Sequence, residues 1–122
     1  MSFNTDNLSI LASAARTATQ TSDDQRNARG RGIHLVIDVT AGAGFSITPI
    51  IEGKDPVSGK YYTILTGAAI TTTGTNVLKI YPGISANPNA SANDILPKTW
   101  RVRVTHADAT SVTYSVGANL TV

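Results

Sequence analysis

Two runs near the end of the chain alternate between apolar and polar side chains at every second position. A period of two places one set of side chains on one face of a strand and the other set on the opposite face. A polar break at residues 107–110 separates the runs, so the pattern predicts an antiparallel hairpin whose apolar face packs on a second sheet. The apolar members of the two runs are Trp100, Val102, Val104, Val112, Tyr114 and Val116.

Shorter runs of the same kind occur earlier, at residues 33–40, 45–51, 61–65 and 76–81. Turn-forming sequences rich in Gly, Pro, Asn and Asp separate them. Pro49 has no N–H to donate, which predicts an edge strand or a bulge there. Six to eight short strands joined by turns predict an all-β fold, a single-domain antiparallel β-sandwich of the Ig-like or jelly-roll-like kind.

The start of the chain lacks this alternation and is dominated by Ser, Thr, Ala, Asn, Asp, Gln and Arg. A short helix over residues 8–15 is one alternative. Residues 17–32 cannot bury enough apolar surface to offset their ordering entropy alone. We therefore predict an extended N-terminal arm at residues 1–31 and a β-sandwich domain at residues 32–122. The arm is expected to order only against a partner, and protease is expected to trim the free protein to a core beginning near Gly32.

The composition of the 122 residues restricts the class of protein further. There is no Cys, which excludes disulfides and thiolate metal sites. Ten basic and eight acidic side chains give no strong field for nucleic acid or an anionic membrane. The sequence has no apolar run of membrane-spanning length and no secretion signal pattern. We expect a soluble protein with neither a membrane nor a specific nucleic acid as its partner.

Candidate catalytic and metal-binding residues are few. His34 and His106, with Asp38 nearby in one pairing of the strands, are fewer than the three or four convergent ligands that zinc needs. The remaining carboxylates do not alternate as in a calcium loop, and the Gly-x-Ser-x-Gly motif of a nucleophile elbow is absent. We predict no enzyme, no catalytic residue, no metal and no cofactor. The carboxylates considered for calcium are Asp38, Glu52, Asp55, Asp94 and Asp108.

Basic side chains are the candidates for binding a partner. Asp23 and Asp24 dilute the charge of the arm, and no stacking aromatics are interleaved with it, so an acidic protein partner or a solvated arm fits better than nucleic acid. Arg101 and Arg103 share one strand face, which is either solvated or an interface that pairs with carboxylates. The basic residues considered for nucleic acid are Arg26, Arg29, Arg31, Lys54 and Lys60.

Five sequence blocks carry a resemblance to a known family. They are residues 14–19 (AARTAT), 31–40 (RGIHLVIDVT), 52–62 (EGKDPVSGKYY), 96–102 (LPKTWRV) and 113–116 (TYSV). With these blocks the chain resembles a family of small virion proteins of tailed bacteriophages. The resemblance spans nearly the whole chain, and its most specific part is the Gly-Lys-Asp-Pro block followed by Leu-Pro-x-x-Trp-Arg-Val.

The resemblance implies a non-enzymatic structural protein similar to capsid decoration or cement proteins, which binds the outer shell and stabilises it. The implied partner is the phage major capsid protein, and the implied state is a homo-oligomer, a dimer or trimer, on the virion surface after synthesis in the host cytoplasm. The residues predicted to bind the partner are Arg16, Arg26, Arg29, Arg31, Lys54, Asp55, Lys60, Arg101 and Arg103.

Two alternatives of other kinds stay open. One is a phage tail or neck structural protein, present in few copies. The other is a glycan-binding β-sandwich for host attachment, which would need exposed aromatic side chains. The candidates for that role are Tyr61, Tyr62 and Tyr81.

Overall fold

A computed structural model describes residues 7–122, and residues 1–6 of the predicted arm lie outside the described residues. The described part of the chain contains ten strands and no helix, and hence no helix that could cross a membrane. The strands are β1 (Asn7–Arg16), β2 (Gln20–Thr21), β3 (Gln25–Arg26), β4 (Gly32–Gly42), β5 (Ile47–Lys54), β6 (Tyr61–Thr66), β7 (Gly74–Ile80), β8 (Ser91–Ala92), β9 (Thr99–His106) and β10 (Val112–Thr121).

The strands form two sheets. The first sheet has the order β1-β10-β4-β7-β8, and the second has the order β2-β9-β5-β6, with β3 also pairing with β9. Every pair is antiparallel except that of β7 with the two-residue β8. The all-β antiparallel sandwich predicted from the alternation is confirmed.

The core consists of the alternating apolar positions on the inner faces of the two sheets. Along β4, Ile33, Leu35, Ile37 and Val39 are all buried, while His34 and Thr40 between and after them are exposed. The largest fully buried side chains are Trp100 from the second sheet and Tyr114 from the first. Full burial of a large apolar side chain contributes about 1.5–3 kcal/mol to folding, so these positions dominate the stability of the fold.

The predicted hairpin of the last two runs is wrong. Both runs are strands with the predicted faces buried, but β9 lies in the second sheet and β10 in the first. Residues 107–111 carry the chain from one sheet to the other, and both apolar faces belong to the same core. The alternation specifies which face of a strand is buried. It does not specify the neighbouring strand, and here the two faces share a core without pairing.

Pro49 lies in an inner strand, which differs from the predicted edge. Its carbonyl oxygen accepts a hydrogen bond from the Gly67 N–H at 2.8 Å. Because the N–H and C=O of one residue in an antiparallel strand point to the same side, the missing donor faces the place where β6 has just ended at Thr66. In the register that pairs Ile50 with Thr66, the bond that Pro49 cannot make is the one to the Gly67 carbonyl, and the β5–β6 ladder ends at this point. The register shift between β5 and β6 occurs later, between Ile51 and Glu52.

The N-terminal segment, residues 7–31, is extended and lies on both sheets. β1 pairs with β10 at the edge of the first sheet, and β2 and β3 pair with β9 in the second. Residues 8–15 are therefore strand and not helix, because β10 offers them an open edge and the core accepts Ile10. The strands that order this segment belong to the same chain. Its behaviour in solution and the division at residue 31 stay predictions.

Two buried polar side chains fasten the N-terminal segment. The Ser22 N–H donates to the Val102 carbonyl at 2.8 Å, and the Ser22 hydroxyl accepts from the Val102 N–H at 2.9 Å. Asn27 Nδ2 donates to the carbonyls of Gly30 and Leu96 at 2.7 and 2.9 Å, and its Oδ1 accepts from the Gly30 N–H at 2.7 Å. A buried polar group needs such partners, and each of these side chains satisfies backbone that the short strands leave unpaired.

Candidate functional site

The outer face of the second sheet carries a buried carboxylate between two arginines. Glu52 on β5 is 5% exposed, and its two oxygens accept from Arg101 Nε at 2.8 Å and from an Arg103 terminal nitrogen at 3.3 Å. Both arginines are on β9 and face outward opposite β5. Charged donors stabilise a carboxylate that has lost most of its water. Glu52 therefore neutralises part of the positive charge of the two arginines within the sheet.

Tyr61 extends this arrangement to the N-terminal segment. Its ring lies over the Arg101 guanidinium, with 3.3 Å from the guanidinium carbon to the ring centroid, which is a cation–π contact. Its hydroxyl donates to Asp24 at 2.7 Å, and Lys54 Nζ pairs with the other oxygen of Asp24 at 2.8 Å. The bonds from Lys54 and Tyr61 hold the pKa of Asp24 below its usual value, and the bond to Asp24 raises the pKa of Lys54.

These six residues form one charged network over three strands and the connection from β2 to β3. Three of them, Lys54, Arg101 and Arg103, are among the residues predicted to bind a partner, whereas the contacts of the two acids are not predicted from the sequence. Glu52 and Arg101 are opposite each other in the register of β5 and β9, which only the strand pairing reveals. The network holds Asp24, and with it the N-terminal segment, against the second sheet. Its members are Asp24, Glu52, Lys54, Tyr61, Arg101 and Arg103.

A polar groove of about 600 Å³ lies beside the network, between β3 and the turn at residues 55–59. Asp55 folds this turn, since its carboxylate accepts from the Val57 N–H and the Ser58 hydroxyl, both at 2.9 Å. These bonds lower the pKa of Asp55. Arg26 and Lys54 line the groove. Asp55 is thus a turn-forming residue in the structure, with basic side chains beside it.

Arg16 lies apart from the other predicted binding residues. Its guanidinium stacks on the Tyr114 ring, 4.7 Å from the centroid, and donates to the carbonyls of Ala12, Ala14 and Tyr114. These bonds join β1 to β10 next to the irregular part of their pairing, where the register shifts between Leu11 and Ala14. That Arg16 binds a partner stays a prediction, and its contacts in the structure are internal.

Six of the nine predicted binding residues lie at one end of the sandwich, where β4, β6 and β9 begin and β5 and β10 end. Arg26 pairs by its backbone with Thr99, and the Arg31 N–H donates to the Thr121 carbonyl at 2.7 Å. The structure therefore brings distant parts of the sequence together there. The six residues are Arg26, Arg29, Arg31, Lys54, Asp55 and Lys60.

The two histidines are in different sheets and do not meet. His34 is exposed on β4, whereas His106 on β9 bonds through Nε2 to the Tyr114 hydroxyl at 2.8 Å. Burial, and then the charge of Arg16, lower the pKa of His106, and burial raises the pKa of Tyr114 to about 12. Within residues 7–122, no three His, Cys, Asp or Glu side chains are grouped so that they could hold a metal ion.

The three tyrosines considered for glycan binding have different surroundings. Tyr61 belongs to the charged network, and Tyr62, which is half exposed, covers Gly53 on β5. The Tyr81 hydroxyl donates to the Val122 carbonyl at 2.8 Å. They do not line one common surface.

Comparison of the chain with models of known protein families finds no match, and comparison with curated proteins finds no related sequence. The resemblance to phage virion proteins therefore depends on the sequence blocks alone.

Proposed function

We propose that this chain is a non-enzymatic structural protein of a tailed-phage virion, which binds the outer capsid shell and stabilises it as a decoration or cement protein. Its partner is the major capsid protein, which it meets as a dimer or trimer on the virion surface. The sequence blocks supply the link to phage proteins. The surface of the folded chain supports a role in extended contact.

The observation that carries the proposal is the outer face of the first sheet. Ser9, Gly117, Val36 and Val77 lie in one row across β1, β10, β4 and β7. A shallow groove of about 570 Å³ crosses this face, and a Cβ at Gly117 would meet nothing nearer than the Leu8 carbonyl oxygen at 3.7 Å. Small side chains lose little rotamer entropy on burial. Such a face suits contact with a broad protein surface.

The charged network supports the same role, because it links β5, β6 and β9 to one another and to the connection between β2 and β3. The side chains of Asp24 and Glu52 are engaged with Lys54, Arg101 and Arg103. The Glu52 pairs join β5 to β9 within the second sheet, and the exposed Asp24 pair links the N-terminal segment to β5. A protein that clamps a shell benefits from such rigidity, since a preorganised surface loses less conformational entropy on binding.

The experiment that tests the proposal is a copy-number count by quantitative mass spectrometry of purified virions, with the major capsid protein as the reference. A ratio near one, or a simple fraction of it, is expected for a shell protein. A handful of copies would favour the alternative of a tail or neck protein. Absence from the virion would contradict both.

Stabilisation is tested separately with virions assembled without this chain. Adding the purified protein back is expected to raise the temperature at which the particles release their DNA. Particles that bind the protein without any shift in this temperature would contradict the cement role while leaving shell binding intact. Binding of the purified protein to specific sugars on a glycan array would instead support the host-attachment alternative.

A further inference from the structure

The two ends of the sandwich differ in charge. At the end defined above, which we call the basic end, lie seven of the ten basic residues of the chain. The acidic residues there are Asp23, Asp24, Asp55 and Asp94, so the formal charge is seven minus four, or +3. The basic residues are Arg26, Arg29, Arg31, Lys54, Lys60, Lys79 and Lys98.

The opposite end consists of the loops at residues 41–46, 67–73 and 107–111, which contain mainly Gly, Ala, Ser and Thr. Asp108 is the one charged residue in these three loops. Arg16 is also near this end, but its guanidinium is bonded to backbone carbonyls. The basic side chains are therefore concentrated at the basic end, while the loops of the opposite end carry little charge.

Exposed apolar side chains occur at the basic end as well. Val57 at the tip of the 55–59 turn is 94% exposed, Ile95 before β9 is 63% exposed, and Tyr62 on β6 is 49% exposed. None of the large exposed apolar side chains of residues 7–122 lies at the opposite end. Exposed apolar side chains among polar and charged ones are typical of a protein interface, in which an apolar centre is surrounded by a polar rim.

We propose that the basic end is a docking surface for an acidic surface of a protein partner. The inference rests on the proposed function insofar as it identifies that partner with the capsid shell, and it adds a second contact surface to the outer face of the first sheet. Complementary charge would steer association and set the orientation. Nucleic acid fits less well, because the four carboxylates would repel phosphates and the apolar side chains of Val57 and Ile95 make no bond to them.

Two substitutions and two matched controls test the docking surface. Lys98→Glu reverses an exposed charge at the basic end, and Ile95→Ser removes an exposed apolar side chain. The double variant Thr71→Glu and Thr73→Glu makes the same change in net charge at the opposite end. Ala69→Ser is the control for Ile95→Ser, since Ala69 is an exposed apolar residue in the 67–73 loop of the opposite end. Thermal unfolding checks that all four variants fold.

The first measurement is binding of these variants to virions assembled without the chain. Lys98→Glu and Ile95→Ser are each expected to weaken binding by about tenfold or more, while the two controls bind like the wild type. Higher salt should weaken wild-type binding as well. Wild-type affinity in both basic-end variants would overturn the docking surface and leave the proposed function standing.

If the wild-type protein does not bind the virions, the proposed function is contradicted. A second measurement then tests the docking surface without virions. The probes are an acidic copolymer of glutamate and tyrosine and a DNA duplex of similar total charge. Tighter binding to the copolymer, weakened by Lys98→Glu and by Ile95→Ser, is expected for a protein-docking surface. Tighter binding to the duplex, or indifference to both variants, would overturn it.

Discussion

Residues 32–122 and residues 7–31 both form strands, but different interactions hold them in place. The larger part buries a continuous set of apolar side chains, of which β4 alone supplies four. In the N-terminal segment Ile10 is the one apolar side chain among the buried residues, and Ser22 and Asn27 are buried polar ones. The segment is held by backbone pairing with β9 and β10 and by a few polar side chains.

The difference explains why the two parts look unlike in the sequence. A strand that buries one face leaves a period of two in its apolar residues. A strand held by its backbone and by single polar side chains leaves no such period, because backbone pairing does not require an apolar side chain at every second position. Ser22 and Asn27 are ordinary residues in a polar stretch until the structure shows what they bond to.

The largest expected effect is in the core of the larger part. Trp100→Ala should lower the free energy of unfolding by about 3–5 kcal/mol, since it removes the largest buried side chain and leaves a cavity. Chemical denaturation measures this. Trp100→Phe is the matched control and should cost less, because it keeps a ring in place and removes an indole N–H that has no hydrogen-bond partner. Equal losses in the two variants would contradict the cavity explanation.

Asn27→Ala tests the polar anchoring of the N-terminal segment. The change leaves the Leu96 carbonyl and the Gly30 N–H and carbonyl without the partner that Asn27 supplies. We expect a loss of about 1–3 kcal/mol in the free energy of unfolding. Hydrogen exchange should quicken in residues 20–31 more than in β4. The exposed neighbour Ala28→Ser is the control, and a loss as small as that of the control would show that Asn27 does not anchor the segment.

Much of the fold is predictable from the sequence, and much of the candidate site is not. The period of two identified β4, β5, β9 and β10 and the burial of Trp100 and Tyr114. It could not say that β9 and β10 belong to different sheets, because the choice of neighbour depends on how the whole core closes. The pairing of Glu52 with Arg101 and Arg103 depends on which strands are neighbours, so it could not be predicted from the sequence either.

The pH dependence of stability tests the junction of the two parts at the opposite end. His106 faces Tyr114, Arg16 from the N-terminal segment, and Asp108, and its pKa is lowered below 6.5 chiefly by burial. The folded state therefore binds this proton less readily than the unfolded state. The neutral imidazole makes its full contribution to the free energy of unfolding above pH 6.5. This contribution is lost as the pH falls from 6.5 through the lower pKa of the folded state. His106→Gln should flatten the dependence of the unfolding midpoint on pH in this range, and an unchanged slope would contradict it.

The smallest effect is expected for the exposed ion pair between the two parts. Lys54→Met removes the partner of Asp24, and solvent screens such a pair strongly. The unfolding midpoint should not change measurably, whereas the amides near Asp24 should exchange faster. Asp24→Asn is the companion variant, because it removes the charge and keeps an acceptor for the Tyr61 hydroxyl. A large loss of stability in either variant would mean that the pair is more important than its exposure indicates.

In the structure, residues 7–31 belong to the fold of the free protein, and the packing of both sheets depends on this. Hydrogen exchange of the isolated wild-type chain, read residue by residue, tests this claim directly. The amides of Ser22, Asn27 and Arg31 donate to the carbonyls of Val102, Lys98 and Thr121, so they are predicted to be protected together with those of β4. Exchange of the whole segment at the rate of an unstructured chain, with β4 still protected, would contradict the account and favour an arm that orders only on a partner.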